Sequence, residues 1–129
     1  MRSDAFRAAA EAKDFSRLDE LFSEDASFRS PVVYGPYEGR EAIKVVLSAV
    51  VEVFEDFRYT GQLENGDTAV LTFEARVGER ELQGVDILRF GADGRAVELT
   101  VMVRPMTGVQ ALAERMREML EAADGAPPA

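Results

Sequence analysis

One carboxylate of this chain falls where the sequence pattern predicts an apolar side chain. The predicted strand from Leu82 to Phe90 carries Leu82, Gly84, Asp86, Leu88 and Phe90 at its even positions. Because successive side chains of a strand point to opposite faces, Asp86 points to the side of Leu82 and Leu88, which should be the inner one. An isolated ionised carboxylate costs several kcal/mol in apolar surroundings, so the pKa of Asp86 should rise unless partners stabilise its charge.

A buried acid with a raised pKa has two interpretations, and the sequence favours neither of them. Such a group in a cleft is typical of functional sites, where it transfers a proton or donates a hydrogen bond. Networks of ion pairs and hydrogen bonds that only stabilise the fold shift pKa values in the same way. Asp86 is therefore either a catalytic group or a structural acid that is satisfied by backbone N–H groups or by an arginine.

The composition excludes most other chemistries. The 129 residues include no cysteine and no histidine, which removes disulfides, thiolate nucleophiles, cysteine zinc sites and every catalytic arrangement that needs an imidazole. A metal would have to be bound by carboxylates alone, which suits only hard ions, and we predict neither a metal nor a cofactor. With 24 acidic and 15 basic residues the net charge is −9, which argues against a nucleic-acid partner. The chain has no apolar run of about 18 residues and starts without the apolar core of a signal sequence, so we expect a cytoplasmic protein without a membrane partner.

The hydrophobic periodicity predicts an α+β protein with one domain over residues 1–123 and a flexible tail over residues 124–129. Two helices come first, followed by a strand and a long helix. A four-strand meander and a final helix complete the predicted order. The long helix is apolar on all but a narrow strip of its surface, so we expect it to pack across a broad sheet.

Several boundaries follow from local signals. Asp14 is predicted to cap the second helix at its N-terminus. The first strand covers residues 26–30, and the long helix covers residues 40–54. Thr107 and Gln110 have the spacing of a capping box, which predicts the start of the final helix.

The loop between the first strand and the long helix carries two of the three tyrosines, Tyr34 and Tyr37. Their hydroxyl groups could line the roof of a pocket and donate hydrogen bonds. Ordinary packing of a surface loop explains the same residues.

Three segments occur in an order and spacing that extend over roughly residues 4–105. They are Phe22–Pro31, Gly39–Ile43, and Val85–Phe90 followed by Asp93–Arg95. Together they resemble the nuclear-transport-factor-2-like superfamily, in particular its SnoaL-like and ketosteroid-isomerase-like branch. The resemblance implies a cone-shaped, cystatin-like fold, in which a strongly curved, mostly antiparallel sheet wraps around three or four helices and leaves a deep apolar pocket.

The resemblance carries over only one catalytic residue of the ketosteroid isomerases. Asp86 matches the protonated aspartic acid that helps to form their oxyanion hole. The position of their general base falls on Ser30, the position of the oxyanion-hole tyrosine falls on Phe6, and two supporting tyrosines fall on Phe22 and Leu47. A serine without a histidine is a poor base near neutral pH, so ketosteroid isomerisation by the familiar mechanism is not expected.

The pocket implied by the resemblance is apolar with few polar groups. Asp86 and Ser30 are its expected polar features, with Tyr34 and Tyr37 near the mouth. The expected walls are formed by nine apolar residues: Phe28, Val46, Leu47, Leu71, Phe73, Leu88, Leu99, Val101 and Val103. Such a pocket suits a small, largely hydrophobic molecule that bears one carbonyl or hydroxyl group.

Three functions remain open at this point. The chain is a pocket protein that binds a small hydrophobic molecule without chemistry, or an isomerase, cyclase or dehydratase that uses Asp86 as its lone acid-base group or oxyanion donor. The third is a non-catalytic interaction module. The outer sheet face, where Val85, Ile87, Thr100 and Met102 lie among charged residues, suits the sheet-to-sheet homodimer that the resemblance implies, and we expect such a dimer.

Overall fold

The computed structural model describes residues 1–124, which form four helices and a six-stranded sheet. In chain order the elements are α1 (Asp4–Glu11), α2 (Leu18–Leu21), β1 (Phe22–Arg29), β2 (Tyr37–Glu38), α3 (Arg40–Val53), β3 (Glu55–Asn65), β4 (Thr68–Val77), β5 (Arg80–Phe90), β6 (Ala96–Arg104) and α4 (Met106–Asp124). Asp124 belongs to α4, and the rest of the predicted tail, residues 125–129, lies outside the described residues. None of the described helices combines the length and the apolar character needed to cross a membrane.

The strands form one open sheet in the order β2-β1-β6-β5-β4-β3. Every neighbouring pair is antiparallel except β1 and β6, which run parallel. The first strand begins earlier than the predicted residues 26–30 because Phe22 already pairs with Ala96 of β6. Helices α3 and α4 contact both the sheet and each other. This arrangement confirms the predicted α+β fold, in which a mostly antiparallel sheet wraps around helices.

Helix α3 packs across the sheet through its apolar surface. Ile43, Val46, Leu47 and Val53 are buried, in agreement with the narrow polar strip read from the sequence. The helix starts after Gly39, whose φ of +91° is a conformation that glycine adopts without steric strain. It ends one residue before the predicted position.

A bulge in β3 changes the face to which its side chains point. The pairing with β4 shifts register between Tyr59 and Gly61, so the residues that point inward change from odd to even positions. Beyond the bulge, the Gln62 Nε2 group donates a hydrogen bond to Ser3 Oγ at 2.7 Å, and a Glu64 carboxylate oxygen accepts one from the Ser3 N–H at 2.8 Å. The bulge therefore leaves Tyr59 facing the core and fixes the start of α1 against the same strand.

The predicted start of the second helix was wrong. Asp14 Oδ1 accepts a hydrogen bond from the Ser16 N–H at 2.9 Å and so forms a local turn, while α2 begins at Leu18. An aspartate that can cap a helix can also close such a turn, and the local sequence does not distinguish the two.

The capping box predicted at Thr107 was also wrong. Helix α4 begins at Met106, and the N–H of Val109 donates to the Pro105 carbonyl at 3.0 Å. Helical hydrogen bonding therefore starts before Thr107, which lies inside the first turn.

Candidate functional site

A cavity of about 480 Å³ lies between the inner face of the sheet and the helices. Its wall is built mainly from apolar side chains of helices α1, α3 and α4 and of strands β1, β3, β4 and β6. On one side the rings of Phe54, Phe57, Tyr59 and Phe73 pack together, with neighbouring centroids between 4.9 Å and 6.3 Å apart. A wall of this kind suits an apolar molecule and offers few hydrogen-bonding groups to water.

The buried polar feature of the cavity is a hydrogen-bonded pair, Tyr59 and Asp86. The Tyr59 hydroxyl group donates to Asp86 Oδ2 at 2.9 Å, and the two residues are only 8% and 6% exposed. Tyr59 on β3 lies opposite Phe73 of β4. Asp86 on β5 lies opposite Leu71, which is also on β4. The phenol ring therefore spans the intervening strand. The alternation correctly predicted that Asp86 faces inward, but its partner is a tyrosine rather than the backbone or an arginine.

The protonation of this pair is set by its surroundings. Burial raises the pKa of Asp86 to about 7, although the hydrogen bond from Tyr59 acts in the opposite direction. Burial and the neighbouring Asp86 carboxylate raise the pKa of Tyr59, so the phenol keeps its proton. Near neutral pH, Asp86 can therefore give or take a proton while Tyr59 stays a fixed hydrogen-bond donor.

Arg7 of α1 holds the other side of this pair. Its guanidinium carbon lies 5.4 Å from the centroid of the Tyr59 ring, within the range of a cation–π contact. Arg7 also donates from Nη1 to Gln62 Oε1 at 2.9 Å and from Nε to Glu11 at 3.4 Å. These contacts hold the guanidinium group over the Tyr59 ring.

Most of the residues predicted from the resemblance line this cavity. The polar ones are Ser30, Tyr37 and Asp86, and the apolar ones are Phe28, Val46, Leu47, Phe73, Leu99 and Val101. Ser30 Oγ accepts a hydrogen bond from the Val33 N–H at 3.0 Å, so this hydroxyl group closes a turn at the edge of the cavity. The Tyr37 ring is stacked on Phe28, with their centroids 5.9 Å apart.

Four predicted residues lie away from the cavity. Tyr34 is 95% exposed, because the loop turns its side chain toward solvent. Leu71 and Leu88 are fully buried in the core, and Val103 packs against the core without reaching the cavity. Alternation predicts the face to which a side chain points, but not whether other side chains cover it.

Tyr59 was not among the residues predicted from the sequence. The resemblance placed the tyrosine positions of the ketosteroid isomerases on three apolar residues, so no tyrosine was expected beside Asp86. A signal was present, because Phe57 and Tyr59 alternate with Asp56 and Arg58 at the start of β3. That phase already puts both aromatic rings on the inner face.

The open side of the cavity is marked by its exposed lining residues, which are Lys13, Val32, Val33, Glu114 and Arg117. Among the described residues, Glu114 and Asp86 are the carboxylates that line the cavity, and of these two only Asp86 is buried. Within residues 1–124, no group of three or more acidic side chains is placed to hold a metal ion.

Comparison with known proteins identifies relatives of this chain. The SnoaL-like domain family matches residues 4–99 of the chain. A steroid delta-isomerase from Pseudomonas aeruginosa is 45% identical and superposes with a TM-score of 0.92, covering 97% of this chain and 93% of that chain. An uncharacterised protein with a cystatin-like fold from Silicibacter pomeroyi is 30% identical, with a TM-score of 0.86 and coverage of 92% and 84%.

A more distant likeness supports the fold alone. An NTF2-like protein of unknown function from Mesorhizobium loti is 23% identical, with a TM-score of 0.72 and coverage of 81% of this chain and 88% of that chain. None of the curated proteins matches the sequence.

Proposed function

This chain belongs to the SnoaL-like family, and we propose that it binds a small, largely hydrophobic molecule in its cavity. One carbonyl or hydroxyl group of that molecule hydrogen-bonds to Asp86. The observation that carries this proposal is the Tyr59–Asp86 pair, buried in a cavity that is otherwise lined mainly by apolar side chains. An apolar cavity supplies most of the binding free energy, and a few fixed polar groups orient the ligand.

The geometry of the pair supports this role for Asp86. Tyr59 donates to Oδ2, which leaves Oδ1 for a ligand. In its protonated form Asp86 donates to a carbonyl oxygen, and in its ionised form it accepts from a hydroxyl group. A pKa of about 7 makes both forms accessible near neutral pH.

A cavity-filling substitution tests the binding proposal. Val101 lines the cavity, whereas Met102, the next residue of β6, is 55% exposed on the outer face. The uncharged fluorescent probe N-phenyl-1-naphthylamine should bind the wild-type protein saturably. Val101→Phe should weaken this binding at least about tenfold, which corresponds to about 1.4 kcal/mol, and Met102→Phe should leave it unchanged. Equal binding by both variants would show that the probe binds elsewhere and would contradict the proposal.

A second candidate function is the migration of a double bond next to a carbonyl group, and two observations favour it. The relative from Pseudomonas aeruginosa is a steroid delta-isomerase at 45% identity, and Asp86 has a pKa suited to proton transfer. Ionised Asp86 would remove a proton from the carbon next to the carbonyl group of a β,γ-unsaturated ketone. The same carboxyl group would then return that proton at the γ-carbon, so the reaction consumes no cofactor and the atoms balance.

Turnover separates the two candidates. A β,γ-unsaturated ketosteroid becomes conjugated on isomerisation, and its ultraviolet absorbance follows the reaction. If the chain is an isomerase, Asp86→Asn should lower kcat by about 10²–10⁴-fold, because it removes the proton-transfer group. Binding of the uncharged probe should be retained in this variant. Absence of turnover in the wild-type protein, with binding intact, would leave ligand binding as the function.

The outer sheet face supports the proposal of a homodimer. Met102 is 55% exposed there, and Val85 and Ile87 are partly exposed beside it. Ion pairs such as Arg89 with Glu98 place both charge signs on the same face, which allows two copies to meet in a self-complementary contact. Light scattering should give the mass of a dimer for the wild-type protein and that of a monomer for Met102→Glu. A monomeric wild-type protein would rule the dimer out.

A further inference from the structure

The mouth of the cavity is electrostatically unlike the rest of the molecule. Lys13, Glu114 and Arg117 line the cavity and are exposed, whereas the Tyr59–Asp86 pair is buried. The three charged side chains therefore lie toward the open side of the cavity. Among the charged residues that line this side of the cavity, two cations and one acid give a net charge of +1, in a chain whose net charge is −9.

Within the described residues, neither cation forms an ion pair. The ion pairs within the part of the chain that the structure describes include neither Lys13 nor Arg117. Glu114 precedes Arg117 by three residues on α4, a spacing that often gives an ion pair, yet the two side chains do not form one. Both cations are therefore available to an anionic group that enters the mouth.

The end of helix α1 fixes the position of the Lys13 backbone. The Lys13 N–H donates to the Ala10 carbonyl at 3.1 Å, and the Asp14 N–H donates to the Ala9 carbonyl at 2.9 Å. These two bonds form a Schellman motif at the end of α1, with Lys13 at the position that glycine usually occupies. Lys13 accordingly has a φ of +56°, in the left-handed region that is unfavourable for a residue with a long side chain. This helix end fixes the backbone of Lys13 beside the cavity, and its side chain is part of the cavity lining.

We propose that the ligand is an amphipathic organic monoanion and that Lys13 and Arg117 bind its anionic group at the mouth. Its apolar body lies in the cavity, and its neutral carbonyl or hydroxyl group reaches Asp86. This inference rests on the proposed binding function and names the chemical class of its ligand. Glu114 limits the net charge of the mouth to +1, which matches a single carboxylate better than a dianion.

Two fluorescent probes with the same apolar body test this proposal directly. One is 1-anilinonaphthalene-8-sulfonate, which carries one negative charge, and the other is N-phenyl-1-naphthylamine, which lacks the sulfonate. Exposed ion pairs are worth up to about 1 kcal/mol, so Lys13→Asn and Arg117→Gln should each weaken binding of the anionic probe about two- to fivefold. Asparagine is the chosen replacement at Lys13 because it tolerates the left-handed conformation. Binding of the uncharged probe should be unchanged.

Matched variants distinguish the mouth from general electrostatics. Glu114→Gln should strengthen binding of the anionic probe by a similar factor, because it raises the net charge of the mouth. Arg115→Gln and Lys44→Gln remove exposed cations that do not line the cavity and should leave both probes unaffected. Raising the ionic strength from about 0.05 M to about 0.5 M should weaken binding of the anionic probe but not of the uncharged one, since salt screens charges at exposed sites.

The outcomes separate this inference from the function on which it rests. If neither probe responds to Val101→Phe, the cavity does not bind them and the binding proposal itself fails. If both probes respond to Val101→Phe but the anionic probe is indifferent to Lys13→Asn and Arg117→Gln, the cavity binds ligands and the anion site at its mouth is disproved. An equal loss in Arg115→Gln would likewise overturn the site, because it would reflect only the overall charge of the protein.

Discussion

The Tyr59 hydroxyl group reaches across strand β4 and donates a hydrogen bond to Asp86 Oδ2 at 2.9 Å. This bond joins two strands that are not neighbours in the sheet, and it places a neutral donor beside a buried acid. A neutral donor stabilises the ionised carboxylate less than an arginine would, so the effect of burial dominates and the pKa of Asp86 rises to about 7. The pair therefore keeps a titratable proton inside an apolar cavity.

The raised pKa of Asp86 predicts a specific pH dependence of stability. The native state binds more protons than the unfolded chain between the ordinary pKa of 3.8 and the folded value of about 7. The free energy of unfolding should therefore fall as the pH rises through this window, and level off above it. Asp86→Asn removes this dependence, so it should be more stabilising at about pH 9 than at about pH 5, by about 3 kcal/mol.

Urea unfolding of both proteins at the two pH values measures this difference, with midpoint and slope fitted together. The comparison cancels the titration of all other groups, because they are common to both proteins. If Asp86→Asn destabilises the protein more at the higher pH, Asp86 is an ionised structural acid. The proton-transfer role would then lose its support.

Removing the Tyr59 hydroxyl group should raise the pKa of Asp86 further. The hydrogen bond from Tyr59 favours the ionised carboxylate, so Tyr59→Phe should shift the titration of Asp86 above about 7. The free energy of unfolding should fall by about 1–3 kcal/mol, mostly at high pH, where a buried charge has lost its donor. The carbon-13 chemical shift of the Asp86 carboxyl group reports this pKa. Tyr37→Phe, which removes another hydroxyl group from the cavity wall, should leave the titration unchanged.

The fold could be predicted largely from the sequence because its signals are local and repeated. The period-2 pattern of β4 to β6 and the apolar surface of α3 each extend over many residues. One residue that departs from the pattern therefore does not change the predicted helix or strand. The helix starts at Asp14 and Thr107 failed for the opposite reason, since each depended on one side chain with more than one possible partner.

Only half of the candidate site could be predicted, because Tyr59 comes close to Asp86 through contacts that are distant in the sequence. Asp86 stood out because a charged residue interrupts an apolar alternation within its own strand. Tyr59 did not stand out, because an aromatic residue on an inner face is ordinary until the strand order places it near Asp86. The charged mouth depends in the same way on Lys13, which follows α1, and on residues of α4 near the other end of the sequence.

Relief of the backbone strain at Lys13 should not destabilise the protein. Lys13→Gly places glycine at φ +56°, where it has no steric penalty, but it also makes the unfolded chain more flexible. The net effect on the free energy of unfolding should lie between zero and a gain of about 1 kcal/mol. Denaturant unfolding checks this value, and Lys44→Gly in the middle of α3 should instead lose about 1 kcal/mol. A comparable loss in Lys13→Gly would show that the lysine side chain stabilises the fold.

Gly84 provides the surface on which the Phe73 ring rests, and this contact shapes the aromatic wall of the cavity. The two residues are paired across β4 and β5, and a Cβ atom at position 84 would lie 2.2 Å from Phe73 Cζ. The ring has little room to move, because Phe54 and Phe57 pack against it. Gly84→Ala should therefore destabilise the protein by about 1–3 kcal/mol and weaken probe binding, as overpacking displaces the ring.

The matched control for this substitution is Gly35→Ala. A Cβ atom at position 35 meets no atom within 4 Å, and the backbone there is not in the left-handed region. This variant should leave the unfolding midpoint and probe binding unchanged. If Gly84→Ala behaves like Gly35→Ala, Phe73 can shift without cost, and the aromatic wall adapts to its ligand instead of selecting it by shape.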